Sequence, residues 1–366
     1  MQRLVFIALL LIAGCSDRSI APVIPDARYT GAAFEEIYVA TTRSVNDFGR
    51  YGGGRDENIH YLAASVAIPP NHEPGKIRTR ASKVNLERDF SFANRSDFQD
   101  RSTFVRNLRT ELRDVPQSEN SAIIYVHGYN NSFSDGVFRI AQLMYDLEIK
   151  GAAVHYSWPS GAHPLGYTYD RDSVLFARDG LEELLRDVRA AGPREILLVG
   201  HSMGNLLIME VLRQIEIAEP GWAARNLNGV IMISPDIDLD VFKEQARRIR
   251  NLPEPFAVFI SEKDRALALS ARLNGSAYRL GNVTDPEEVA EFPITLVDVT
   301  NFSGAGLSHF TVGTSPALIK LLNRVGDLDD SFQSDRAGRS GLLPGTLLTV
   351  QKATEIILDP VRTLTQ

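Results

Sequence analysis

The residues that point most clearly to chemistry are Gly200-His-Ser-Met-Gly204. They match the pattern G-x-S-x-G, in which a serine sits on a sharp turn between a strand and a helix. The apolar run Leu197-Leu-Val199 comes directly before the pattern, and an apolar helical stretch begins at Met203. The bare pattern is common, but this context predicts that Ser202 is a nucleophile presented at the end of a strand.

A serine hydroxyl is a weak nucleophile and needs a base. Seven histidines occur in the chain, and of these only His309 lies after the serine. It follows the last predicted strand, in agreement with the chain order serine, acid, histidine that accompanies this kind of turn. We therefore predict that His309 is the base. His201 adjoins the serine, and its side chain is expected to point away from the serine hydroxyl.

Two aspartates are candidates for the acid that orients the imidazole and stabilises its charged form. Asp264 follows the predicted strand 256–260, and Asp236 follows the strand before it. We favour Asp264 because the acid lies more often after the later strand. Asp236 stays open as the alternative acid, and Glu262 is a third candidate.

The oxyanion of an acyl-transfer intermediate needs backbone N–H donors that are already in place. Met203, the residue after the nucleophile, is predicted to supply one of them. The loop His127-Gly-Tyr-Asn-Asn131 follows a short apolar strand, 122–126, and we predict that Tyr129 supplies the second.

The elements that must position these residues alternate along the chain. Between residues 121 and 325, short apolar strands alternate with helical stretches, which is typical of a parallel sheet covered on both faces. The six predicted strands of this region cover residues 122–126, 152–156, 195–199, 229–233, 256–260 and 294–299. Two earlier strands are predicted at 36–41 and 61–68, with a glycine-rich loop at 44–58. The expected fold class is α/β, with about eight strands in a mostly parallel, doubly wound sheet.

These motifs together resemble the α/β-hydrolase superfamily, and more closely a bacterial family of α/β-hydrolases of unknown function within the esterase and lipase group. The matching stretches are residues 38–43, 126–131, 156–160, 166–167, 170–172, 200–205, 235–238, 264–270 and 308–309. The resemblance covers about residues 36–325. It implies an α/β-hydrolase fold and a serine-hydrolase triad, and it implies no particular substrate.

Two aromatic residues lie on a loop at the edge where ligands bind in such sheets. Trp158 and Tyr167 either wall an acyl pocket or serve only in packing, and the sequence favours neither role. No phosphate-binding or dinucleotide motif and no zinc motif occurs. The acidic run at 236–240 lacks the glycine and glutamate of a calcium loop. We predict no cofactor and no metal site.

The N-terminus has the layout of a secretory signal peptide. Arg3 precedes a short apolar run that ends at Ala13, and the sequence Ile12-Ala-Gly-Cys15 resembles the lipobox of bacterial lipoproteins. Cys15 is the only cysteine of the chain and is the predicted lipidation site. The expected domains are a signal peptide at 1–14, a tether at 15–33, a hydrolase domain at 34–325 and a C-terminal tail at 326–366. A short amphipathic helix is expected in this tail, at 346–358.

Composition narrows the function further. The chain has 46 acidic and 39 basic residues in 366, a formal net charge of −7, which argues against a nucleic-acid surface. The prediction is a serine hydrolase of small-molecule or lipid esters, held in the bacterial cell envelope by lipid. The periplasmic face of the outer membrane is favoured over the inner membrane. The alternatives are a non-catalytic binding or scaffold lipoprotein on the same fold, and a hydrolase of amides or thioesters.

Overall fold

A computed structural model describes residues 21–25, 27, 31–275, 278–302, 309–319, 346–352 and 355–360. Its strands are β1 (Ala33–Val45), β2 (Tyr51–Ile68), β3 (Ser91–Asp97), β4 (Ser121–Val126), β5 (Ala152–Ser157), β6 (Glu195–His201), β7 (Gly229–Ile233), β8 (Phe256–Ile260), β9 (Thr295–Asp298), β10 (Thr346–Lys352) and β11 (Glu355–Pro360). Its helices are α1 (Arg101–Arg113), α2 (Phe133–Asp146), α3 (Tyr167–Phe176), α4 (Arg178–Ala191), α5 (Met203–Ala218), α6 (Trp222–Asn226), α7 (Leu239–Ile249), α8 (Arg265–Leu273) and α9 (Thr311–Thr314).

The strands of the described residues form one sheet in the order β11-β10-β9-β8-β7-β6-β4-β5-β1-β2-β3. From β10 to β1 every neighbouring pair is parallel, whereas β11, β2 and β3 each run antiparallel to the strand that precedes them in the chain. Parallel neighbours need crossover connections, and the helices that make them cover the sheet. The predicted mostly parallel α/β sheet is therefore confirmed.

Apolar side chains bury both faces of the sheet in separate cores. One core contains Phe104 of α1, Leu184 of α4, Leu207 of α5 and Phe242 of α7. The other contains Phe138 and its neighbours on α2. The central strands are apolar throughout because both of their faces are covered.

The sheet has three strands more than the eight that were expected. The additional strands are β3, β10 and β11, all of them near the two edges. The prediction of a short helix at 346–358 was wrong. This part of the chain forms the β10–β11 hairpin, and β10 pairs with β9. Its sequence is rich in β-branched residues, which favour strands at a sheet edge that is open to pairing.

The glycine-rich segment at 44–58 is not a loop as expected. Most of it belongs to β1 and β2, with Arg43 paired to Arg55 and Val45 to Tyr51. Glycine serves close packing here, because a Cβ on Gly53 would lie 3.0 Å from the Cα of Gly161.

Between β5 and β6 the chain forms two helices, α3 and α4, which meet at Ala177. Part of the segment expected to be a tether at 15–33 contacts the domain, because the backbone N–H of Ile24 donates to the carbonyl of Phe92 in β3 and Ala27 is buried against the domain. Apolar residues of this segment thus cover the edge of the sheet.

Several expectations lie wholly or partly outside the described residues. These are the signal peptide at 1–14, Cys15 and the tail at 326–366, of which residues 346–352 and 355–360 are described. At the end of the expected hydrolase domain, residues 316–319 are described and helical. Within the part of the chain that the structure describes, no helix combines the length and the apolar character that a membrane span requires.

Candidate active site

Ser202 occupies a strained turn between β6 and α5. Its backbone has φ 52° and ψ −123°, a region that non-glycine residues rarely occupy and that costs free energy. The flanking glycines make room for the turn: a Cβ on Gly204 would lie 2.6 Å from the carbonyl oxygen of Val126, and one on Gly200 would lie 2.7 Å from the side chain of Ile208. The turn is therefore held by close packing that only glycine permits.

The structure brings the three predicted residues Ser202, His309 and Asp264 together. The serine Oγ lies 2.7 Å from His309 Nε2, and His309 Nδ1 lies 2.8 Å from Asp264 Oδ2. A carboxylate can only accept, so Nδ1 carries the proton and Nε2 is free to accept the serine hydroxyl. This is the arrangement that makes a serine hydroxyl nucleophilic.

Asp264 is held by the helix that follows it. Its side chain is fully buried, and its Oδ1 accepts the backbone N–H groups of Ala266 and Leu267 at 3.0 Å each. The carboxylate is thus the N-cap of α8, where the helix dipole stabilises negative charge. One oxygen is fixed by the helix and the other faces the imidazole.

The alternative acid, Asp236, has other partners. Its carboxylate accepts the hydroxyls of Tyr167 at 2.9 Å and Ser270 at 2.6 Å, and it lies 3.3 Å from Arg279 Nε. Of the two predicted acids, the structure places Asp264 on the imidazole and Asp236 in this neighbouring cluster.

The two predicted oxyanion donors flank the serine. Met203 is the first residue of α5, where backbone N–H groups have no partner within the helix. The loop that carries Tyr129 lies against the nucleophile, because a Cβ on Gly128 would be 2.8 Å from the Cβ of Ser202. The phenol of Tyr129 donates to the carbonyl of Pro164 and so fixes the side chain outside the turn.

A cavity of about 380 Å³ opens beside the serine. Its wall is mostly apolar and comes largely from helix α8 and the two loops opposite. The lining residues are Tyr129, Asn130, Pro164, Tyr167, Ser202, Asp236, Ala266, Leu267, Leu269, Ser270 and His309. Within the described ranges, no group of three or more histidine, cysteine or carboxylate side chains is arranged to hold a metal ion.

Residues 101–325, more than half of the chain, match the profile of a family described as alpha/beta hydrolase of unknown function (DUF900). The chain belongs to this alpha/beta hydrolase family. The resemblance seen in the sequence motifs is confirmed by this match. No curated protein matches the chain.

Solved structures that the chain matches come from several organisms. TT1662 from Thermus thermophilus is 11% identical, with 84% of this chain and 99% of that chain covered and a TM-score of 0.37. The Pyrococcus furiosus esterase Pf2001 is 12% identical, with 86% and 97% covered and a TM-score of 0.37. Carboxyl esterase 2 from Tuber melanosporum is 14% identical, with 81% and 75% covered and a TM-score of 0.26. Similarity this distant says nothing about the reaction.

Arg43 is a buried cation of this α/β-hydrolase that sequence reasoning did not single out. Its guanidinium donates to the carbonyls of Ser160 and Asn131, both at 2.9 Å, and lies 3.3 Å from His127 Nε2. Burial lowers its pKa to about 10. Arg43 thereby ties the loop after β4 to the loop after β5.

Asp170 is the second residue that was missed. Its carboxylate accepts the backbone N–H of Asn130 at 3.0 Å, the N–H of Gly161 at 2.7 Å and the hydroxyl of Ser160 at 2.6 Å. Burial raises its pKa above the usual range for a carboxyl. Asn130 has a positive φ of 58°, and the aspartate holds it there, next to Tyr129.

The two aromatic candidates differ in position. Trp158 is fully buried and its indole N–H donates to the carbonyl of His127 at 2.7 Å, with the two rings stacked at 4.7 Å. It therefore packs against the loop at 127–131 and is not among the residues that line the cavity. Tyr167 does line the cavity. The sequence favoured neither role for these two residues. In the structure Trp158 serves in packing and Tyr167 forms part of the cavity wall.

His201, which was expected to point away from the serine hydroxyl, contacts His309 and Phe310. Its Nε2 lies 3.2 Å from the backbone carbonyl oxygen of His309, and its ring packs edge-on against Phe310 at 4.3 Å. Burial lowers the pKa of His201 well below its usual value, and His309 adds to the effect. The neutral His201 ring therefore donates its Nε2–H to the backbone carbonyl of His309.

Proposed function

We propose that this α/β-hydrolase is a serine hydrolase that cleaves carboxylic esters. The observation that carries the proposal is the hydrogen-bonded series from Ser202 through His309 to Asp264, with distances of 2.7 Å and 2.8 Å. It provides a nucleophile, a base in the correct tautomer and a buried charge that stabilises the imidazolium. No cofactor is required for this chemistry.

In the first half of the proposed reaction, Ser202 Oγ attacks the ester carbonyl carbon while His309 Nε2 takes the hydroxyl proton. The resulting oxyanion accepts the backbone N–H groups of Met203 and Tyr129. The intermediate then collapses, and His309 returns its proton to the departing alcohol oxygen. The acyl group remains on Ser202 as an ester.

In the second half, water takes the place of the alcohol. His309 removes a proton from this water, whose oxygen attacks the acyl carbon, and the same two N–H groups hold the second oxyanion. Collapse breaks the bond to Ser202 Oγ, which recovers its proton from His309. The products are a carboxylic acid and a regenerated serine.

The cavity favours a small-molecule or lipid ester as substrate. A volume of about 380 Å³ lies near the lower end for ligand sites, and the apolar side chains of Pro164, Leu267 and Leu269 suit a hydrocarbon portion. A triad alone does not distinguish esters from amides or thioesters, so rates on matched acyl donors decide between them.

Ester turnover by the full-length chain, purified in detergent, tests the proposal. The wild type should hydrolyse p-nitrophenyl butyrate, with a burst of nitrophenolate when deacylation is the slower step, and Ser202→Ala should not. Ser234→Ala is a matched control, because Ser234 also has a positive φ, 45°, at the end of the next strand. Absence of turnover on esters, amides and thioesters alike would favour the non-catalytic scaffold.

We further propose that lipid on Cys15 anchors the hydrolase in the bacterial envelope, with the outer membrane favoured. The proposal rests on the short apolar run that ends at Ala13, two residues before the only cysteine of the chain. Growth with a labelled fatty acid should label the wild type and not Cys15→Ser. Labelling that survives this substitution would contradict the anchor.

A further inference from the structure

The wall of the cavity contains one polar cluster among its apolar residues. Tyr167, Asp236 and Ser270 line the cavity, and their oxygens meet at 2.6 to 2.9 Å. The cluster adjoins the nucleophile, since the backbone N–H of Asp236 donates to the carbonyl of Ser202 at 3.2 Å. A substrate acylating Ser202 must pass next to it.

Counting hydrogens shows what the cluster offers to a ligand. The hydroxyls of Tyr167 and Ser270 bring one hydrogen each, and the carboxylate of Asp236 brings none. Two of the three oxygen–oxygen contacts take up both hydrogens. The cluster therefore presents lone pairs to the cavity and can accept a hydrogen bond from a ligand.

The positive charge of Arg279 balances the negative charge of the Asp236 carboxylate. Asp236 and Arg279 are both buried, and Arg279 Nε lies 3.3 Å from Asp236 Oδ1. The pair has no net charge, so the cavity gains little from a cationic ligand. A hydrocarbon chain forms no hydrogen bond with the remaining lone pairs of the cluster, whereas a neutral donor on the substrate does.

We propose that Tyr167, Asp236 and Ser270 form a substrate-recognition subsite that accepts a hydrogen bond from a neutral donor, a hydroxyl or an amide N–H, on the ester. The inference rests on the proposed ester hydrolysis and adds a substrate class to it. Esters that carry such a donor a few atoms from the carbonyl are preferred over plain hydrocarbon esters of the same length.

Matched ester pairs test the subsite in the full-length protein. One pair varies the acyl part, p-nitrophenyl butyrate against p-nitrophenyl 3-hydroxybutyrate. The other varies the alcohol part, ethyl butyrate against 2-hydroxyethyl butyrate. In at least one pair, the wild-type kcat/KM should be about tenfold higher for the hydroxylated ester, as one net hydrogen bond provides.

Variants show whether the preference comes from the cluster. Tyr167→Phe and Ser270→Ala should bring the ratio of the two kcat/KM values close to one. Tyr169→Phe is the matched control and should keep the wild-type ratio, because its hydroxyl binds the carbonyl of Gly53. A cluster that serves only to hold α8 would lower kcat/KM for both esters of a pair and leave their ratio unchanged.

Failure of the subsite and failure of the reaction give different results. Equal rates within both pairs, or a ratio that survives both cluster variants, overturns the subsite while ester hydrolysis stands. If no ester is turned over, binding of methyl 3-hydroxybutyrate and methyl butyrate to the Ser202→Ala chain is compared by calorimetry. About tenfold tighter binding of the hydroxylated ester supports the subsite, and equal affinities overturn it.

Discussion

The Nε2 of His201 lies 3.2 Å from the backbone carbonyl oxygen of His309, and the two ring centroids are 4.9 Å apart. His201, the residue before Ser202, thus contacts both the backbone and the ring of His309. On its other side the ring approaches the oxyanion loop, because a Cβ on Gly128 would lie 2.8 Å from His201 Nδ1. One neutral imidazole contacts both parts of the site.

This contact predicts a kinetic effect of His201. Replacement by phenylalanine keeps a ring but removes the donor, so kcat should fall about three- to tenfold, the range of one net hydrogen bond, with little change in KM. His201→Gln can still donate and should keep more of the activity. Steady-state kinetics on one ester compare them. Equal kcat values for the wild type and His201→Phe would show that the contact does not position the base.

The choice of acid predicts unequal effects of two similar substitutions. Asp264→Asn removes the charge beside His309 and favours the wrong tautomer, so kcat should fall about 10³- to 10⁴-fold, as in other triads. Asp236→Asn acts on the neighbouring cluster, and its kcat should remain at least about 100-fold above that of Asp264→Asn. The reverse order would make Asp236 the acid.

Substitution of Gly128 by alanine tests the loop at 127–131, which is proposed to supply an oxyanion donor. An alanine methyl would meet Ser202 and His201 at 2.8 Å, so the loop must shift away from the serine. Loss of one oxyanion donor lowers kcat about 10²- to 10³-fold. Gly52→Ala is the control, since its nearest new contact would be 3.8 Å away. Full activity in Gly128→Ala would place the oxyanion donors elsewhere.

His155 predicts how stability depends on pH. Burial lowers its pKa to about 3, against 6.5 for the ordinary imidazole. Only the unfolded chain takes up this proton between those values, so the free energy of unfolding falls as the pH falls below 6.5. Between pH 7 and pH 5, this uptake by His155 lowers the free energy of unfolding by about 2 kcal/mol.

Urea denaturation at the two pH values measures this effect. In His155→Asn, whose amide nitrogen takes the place of Nδ1 and can still donate to the carbonyl of Tyr125, the loss of stability between pH 7 and pH 5 should be smaller than in the wild type by about 2 kcal/mol. The comparison uses the difference between two pH values, so a uniform loss of stability in the variant does not affect it. Identical differences would mean that His155 is charged in the folded protein.

The convergence of Ser202, Asp264 and His309 can be predicted from the sequence because their order follows the sheet. Each parallel strand ends at the same edge, so Ser202 after β6, Asp264 after β8 and His309 after β9 must converge there. The choice between Asp236 and Asp264 needed the structure, because both follow strands that end at this edge. Only the direction of each side chain separates them.

Arg43 and Asp170 lay beyond sequence reasoning for a different reason. Arg43 acts on Ser160, 117 residues away, and Asp170 acts on the backbone of Asn130, 40 residues away. Most of their hydrogen-bond partners are main-chain atoms, which leave no pattern of residue types. The β10–β11 hairpin was missed for a similar reason, because its pairing with β9 depends on an edge that only the folded sheet provides.

The central claim is that Ser202 is an activated nucleophile, and a fluorophosphonate probe tests it most directly. The probe forms a covalent bond with a serine whose proton is taken by a base, and peptide mass spectrometry locates the adduct. In the full-length protein the adduct should lie on the peptide containing Ser202, and it should be lost in Ser202→Ala and His309→Ala. No adduct in the wild type, or an adduct that persists in Ser202→Ala, would contradict the account.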